Sequence, residues 1–150
     1  MLESIQHINL IGSITANLNN FLLSGIFISR IYNKRRIEYW LGIFFIFTII
    51  PLIFLLVEAI TFERSLLYFI QIILMIAFII LELILDYIIK PDFREKKKTL
   101  IPYITLFYAS TGGMIGVAGQ SGKTWSIITI NTFLLMVIFS LIMHIKTERE

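Results

Sequence analysis

The sequence has no cysteine. That removes disulfides, thiolate metal sites and thiol nucleophiles together. Charge is scarce as well: only 15% of the 150 residues are charged, whereas a water-soluble domain carries about a quarter. Too few polar groups are available to cover a wetted surface, so most of the surface is expected to face something other than water. The two histidines, His7 and His144, fall at opposite ends of the chain and cannot share a metal; with no thiolate either, zinc lacks ligands. No metal or cofactor is expected, and no Ser/His/Asp arrangement is visible.

The stretch GVAGQSGKTW, Gly116 to Trp125, ends in Gly-Lys-Thr and invites comparison with a phosphate-binding loop. The pattern G-x-x-x-x-G-K-[ST] requires its first glycine at position 117, which is Val117. The motif also needs a strand before it, and here an apolar helical run stands there. The expectation is a tight turn at Gly119, Ser121 and Gly122, with Thr124 capping the following helix. No nucleotide is expected at Gly122, Lys123 and Thr124, and no nucleic-acid partner.

What the sequence does have is apolar length. Hydrophobic residues make up 57% of it. A bilayer-spanning helix needs about 20 mostly apolar residues. Five runs qualify: Ile8–Ser29, Ile37–Ile60, Leu66–Ile89, Leu100–Ala118 and Thr124–Ile145. The fold class expected is an all-α integral membrane protein with five transmembrane helices, one bundle over residues 1–150 and no soluble domain. The opening MLESIQHI carries an acid where a signal peptide has bases, so the first run is read as a span.

Eleven of the thirteen basic residues fall on one side of this arrangement; only Arg64 and Lys123 fall on the other. The positive-inside rule makes the rich side cytoplasmic, giving an N-out/C-in topology. A prokaryotic plasma membrane is the expected host. Tyr39, Trp40, Tyr87, Tyr103 and Trp125 are placed as interfacial anchors. Arg35, Arg36, Arg94, Lys96, Lys97 and Lys98 are expected to attract anionic lipid at about 1 kcal/mol per charge.

Polar residues within spanning helices are costly and need a partner or a purpose. Asn9, Ser13, Asn17, Asn20 and Ser24 line one face of the first helix, which is expected to look into the bundle. Either it bonds other helices or it walls a polar path. Gln71, Glu82 and Asp86 share an arc of the third helix. Asp86 is expected to pair with Lys90 or the basic first loop. Glu82 lies deeper, where a neutral carboxyl can donate a hydrogen bond and exchange protons. Counting depth from the helix ends matches Glu82 with Tyr108, Ser110 and Thr111, and with Asn20 and Ser24. Pro51 is expected to kink the second helix and free the carbonyl of Phe47, with Thr48 helping to satisfy that turn. Glu58 is expected to reach water or pair with Arg64, and Asn131 to bond a neighbouring helix.

Thr105, Ala109, Gly112, Gly116 and Gly119 form a stripe of small residues on the fourth helix. Such stripes let helix backbones approach, within a bundle or between copies. The size and five helices are similar to those of the tryptophan-rich sensory protein/translocator protein family. With two tryptophans and no W-x-P-P stretch in this chain, no site residue is carried over.

Three functional expectations follow. The first is a small transporter, or the membrane subunit of one, with a ligand- or proton-binding site at Glu82, Asp86, Asn17, Asn20, Ser24, Tyr108 and Thr111. The second is a structural or assembly subunit that meets a second copy or another membrane partner through Ala109, Gly112, Gly116 and Gly119. The third, a lipid-modifying enzyme, would need magnesium on carboxylates such as Asp86 and Asp92.

Overall fold

The computed structural model describes residues 2–89 and 97–147, without the side chains at 2, 89, 97–99 and 147. Among these residues the structure is all-helical: α1 Leu2–Ile31, α2 Arg35–Phe47, α3 Ile49–Thr61, α4 Leu66–Glu82 continuing as a π-helical segment Leu83–Ile89, α5 Lys97–Gly119 and α6 Lys123–Thr147. With α2 and α3 nearly continuous, five helices are long and apolar enough to cross a membrane. They agree with the five expected runs; four are longer by one to seven residues and the third ends one residue earlier.

The helix ends follow from local chemistry. Asn33 adopts φ 55°, Lys34 N–H donates to Ser29 C=O and Asn33 N–H to Arg30 C=O, a Schellman closure of α1. Glu63, at φ 46°, closes α3 in the same way, with Arg64 N–H on Ala59 C=O. Ser65 caps α4 by accepting from Tyr68 N–H. Gly122, at φ +116°, turns the chain between α5 and α6. The turn is as expected, but α6 opens at Lys123 and Ser126 N–H donates to Gly122 C=O, so Thr124 lies inside the first turn and is not the cap.

The break between α2 and α3 falls at Thr48, three residues before Pro51. Proline has no N–H to offer Phe47 C=O, and Thr48 tightens the turn by donating both its N–H and its hydroxyl to Phe45 C=O.

The innermost helix is, with α5, one of the two least apolar. α1 packs against α2, α3, α5 and α6. Of its most apolar 18-residue window 61% is buried, against 28% for α4 and 11% for α6. The most apolar helices present their side chains outward, including Phe44, Ile53, Ile73, Leu134 and Ile138. Inside, Phe45, Leu52, Ile72, Met75, Phe78, Met114 and Met136 fill the core. We call the end holding the α1–α2 turn and the end of α6 the basic end, and the end holding the two other described turns the opposite end.

The glycines of α5 are occupied within the chain. A β-carbon at Gly112 would touch Phe133 of α6, and one at Gly119 would meet Ser126. Gly116 faces the Gln71 amide of α4, so the stripe divides between two neighbours. Thr105 and Ala109, at its other end, are exposed.

Candidate functional site

The polar residues expected to form one site lie in two separate places. At the opposite end, the polar face of α1 is buried and hydrogen-bonded. Asn9 donates to Gln120 C=O at 2.9 Å and accepts from Arg64 at 2.6 Å. Ser13 donates to Ala118 C=O and to the Ser121 hydroxyl. Asn17 donates to Thr129 at 2.8 Å and accepts from Thr132 at 2.9 Å, while Asn20 donates to Thr132 at 3.0 Å. Ser24 turns back onto Asn20 C=O. These bonds stitch α1 to α6 and to the α5–α6 turn. Arg64 is therefore engaged by Asn9 and stacked over Tyr68; of the two expectations for Glu58, no pairing with Arg64 is seen among the described residues, and its partial exposure fits the other, reaching water.

Asn20 Oδ1 and the Tyr68 hydroxyl are buried without a hydrogen-bond partner among the described residues, and one whole amide is as well. Asn19 is 1% exposed, and among the described residues neither atom of its amide has a hydrogen-bond partner. Gly12 sits against Leu55 and Gly25 against Leu41, so the antiparallel register sets Asn19 level with the α2–α3 break.

At the basic end, a cavity of about 450 Å³ opens between α1, α2 and the end of α4. Its floor is Leu23, Ile26, Phe27, Phe45 and Ile46; its charged wall is Arg30, Arg35, Glu38, Glu82 and Asp86. Arg30 joins the wall together: its Nε lies 2.5 Å from Glu38 and its Nη2 3.0 Å from Asp86. The three side chains are 14%, 28% and 25% exposed, so the triad is half-enclosed and not a surface pair. Asp86 thus meets Arg30, which stands next to the basic first loop but belongs to the last turn of α1; the other expected partner, Lys90, lies outside the described residues, as do Asp92, Arg94 and Lys96 and the side chains of Lys97 and Lys98. The π-helical segment adds Tyr87, whose hydroxyl donates to Tyr39 C=O at 3.1 Å. Gly42 makes this possible, since a β-carbon there would strike that hydroxyl.

Glu82 accepts a hydrogen bond from the Tyr103 hydroxyl. The expected partners are elsewhere. Tyr108 reaches Ser140 of α6 at 3.5 Å, and Ser110 and Thr111 both donate to Phe107 C=O of their own helix. Asn20 bonds Thr132 of α6, and Ser24 bonds Asn20 C=O of its own helix. The depth count, taken from Leu100, failed because the described part of α5 is already helical at Lys97; Gln71 meets Gly113 and Gly116, and the register carries Glu82 to Tyr103. Of the expected anchors, Tyr39 and Trp40 are exposed side by side, whereas Tyr87 and Tyr103 are engaged at the site. Among the described residues Asn131 bonds no neighbouring helix: it is exposed and donates to Ile127 C=O one turn back.

Arg30, Glu38, Tyr87 and Tyr103 are the site residues that sequence reasoning missed. The usable signal was acidic: Glu38 and Asp86 stand beside basic clusters where orientation alone calls for no acid. Among the described residues, no three His, Asp or Glu side chains converge as a metal would require. Compared with models of known families, with curated proteins and with solved structures, the chain finds no match.

Proposed function

We propose that the chain is a multi-pass membrane protein, N-out and C-in, that takes a small amphipathic ligand into the basic-end cavity from the cytoplasm and exchanges a proton at Glu82, as a small transporter or the membrane subunit of one. The observation that carries this reading is the cavity itself, in which carboxylates from two helices share an apolar floor. An apolar floor takes a hydrophobic body, and Glu38, Glu82 and Asp86 outnumber Arg30 and Arg35, which favours a cationic head. Across the bundle, the α1–α6 network closes the opposite half. A cavity open to one side and sealed on the other is one of the two states an alternating-access carrier needs.

The probe for this reading is tetraphenylphosphonium, an apolar cation. Purified protein is expected to bind it with release of a proton, and Glu82→Gln to lose both binding and proton release by at least about tenfold, or about 1.4 kcal/mol. Equal binding and proton release by wild type and Glu82→Gln would remove Glu82 from the function.

A further inference from the structure

The outer face of α6 carries a pattern that neither the cavity nor the α1–α6 network uses. Ile127, Asn131, Leu134, Ile138, Leu141 and Ile145 are spaced 4, 3, 4, 3 and 4. All six are exposed, the five apolar ones between 49% and 52%. Thr129 and Met136, on the other side of the helix, are fully buried. A seven-residue repeat sustained over such a face is the seam of a two-stranded helix pair. In that frame Asn131, Ile138 and Ile145 hold the first core position and Ile127, Leu134 and Leu141 the second. β-branched residues at the first and mostly leucine at the second favour two parallel strands, and a single asparagine at the first fixes register.

Lipid alone does not suit this face, because of Asn131. It lies eight residues into α6, about 12 Å along its axis. Among the described residues its one hydrogen bond, to Ile127 C=O, leaves a second N–H and the amide oxygen unused. An amide offers both donor and acceptor, so its natural complement is an identical amide across a two-fold axis. Copies inserted in one membrane share an orientation, so the pairing is parallel and each residue meets its own counterpart.

We infer that the protein forms a parallel homodimer through α6, with the two Asn131 side chains hydrogen-bonded across the axis. The interface is separate from the cavity, whose lining comes from α1, α2, α4 and the π-helical segment, so each protomer keeps its own open mouth.

The absence of cysteine makes the test direct. Single variants Leu134→Cys and Ile138→Cys in reconstituted vesicles are expected to form disulfide-linked dimers on oxidation. Ile53→Cys and Ile73→Cys, equally exposed on α3 and α4, are expected to link only at the level of random collision. Adding Asn131→Leu to Ile138→Cys should reduce linking about fivefold, while Asn131→Gln should preserve it. Equal linking at Ile53 and Ile138, or linking unaffected by Asn131→Leu, overturns the dimer and leaves lipid as the cover of this face.

Discussion

Both ends of α1 bury polar side chains, and they do so differently. Toward the opposite end, Asn9, Ser13 and Asn17 find hydroxyls and carbonyls on α6, the end of α5 and the α5–α6 turn. Apart from Arg64, which bonds Asn9, the groups are neutral, and the helices are closed on one another. Toward the basic end, Arg30 meets two carboxylates beside a cavity of about 450 Å³. The same helix thus serves as glue in one half and as a wall in the other. A polar stripe in an apolar helix does not by itself mark a functional site. What separates the halves is whether the polar groups satisfy each other or border open space.

The sharpest way to break this contrast is at Arg30. Arg30→Met leaves two half-buried carboxylates without their shared cation, and a loss of about 3 kcal/mol is expected in thermal or denaturant unfolding in one detergent. Replacing Arg30, Glu38 and Asp86 together with apolar residues should recover most of it; a loss as large as the single variant's would mean that the charges are held for reasons other than each other. In the glued half, Asn17→Leu removes two inter-helix bonds and should cost about 1 kcal/mol by the same measurement. Between the halves, Asn19→Leu should act with the opposite sign and raise stability by about 1 kcal/mol, because it deletes a buried amide that bonds nothing else in the described chain. A loss there would show that Asn19 has a partner. The smallest effect on stability, within about 0.5 kcal/mol, is expected for Tyr103→Phe, whose hydrogen bond to Glu82 reaches a partly exposed carboxylate. Its effect on proton release with tetraphenylphosphonium should nevertheless be measurable.

The five helices were legible because apolar length and charge-poor runs are properties of the sequence itself. The break in the second run was legible from Pro51, and its site at Thr48 follows from which carbonyl the proline leaves without a donor. Helix neighbours were not legible. Depth counted from loop boundaries sent Glu82 to Tyr108 and Thr111, because the start of α5 and the reach of a tyrosine side chain set the register. Arg30 was hidden for a related reason: it stands next to a run of bases that reads as a loop, yet the Schellman closure at Asn33 keeps it inside α1, where it can reach Glu38 and Asp86. The heptad on α6 was written in the sequence all along. It gained meaning only once the structure showed that this face of α6 turns away from the bundle while Asn131 sits in its midst.

The division of the molecule into a sealed half and an open half is tested most directly by thiol accessibility. In vesicles of known orientation, single variants Leu23→Cys, Ile46→Cys, Ser13→Cys and Thr129→Cys are treated with a charged, membrane-impermeant thiosulfonate from each side. Leu23→Cys and Ile46→Cys should react, and only from the side of the basic end, while Ser13→Cys and Thr129→Cys stay protected from both sides. Reaction at Ser13→Cys and Thr129→Cys with Leu23→Cys and Ile46→Cys protected would contradict the division and place the open path along the α1–α6 contact.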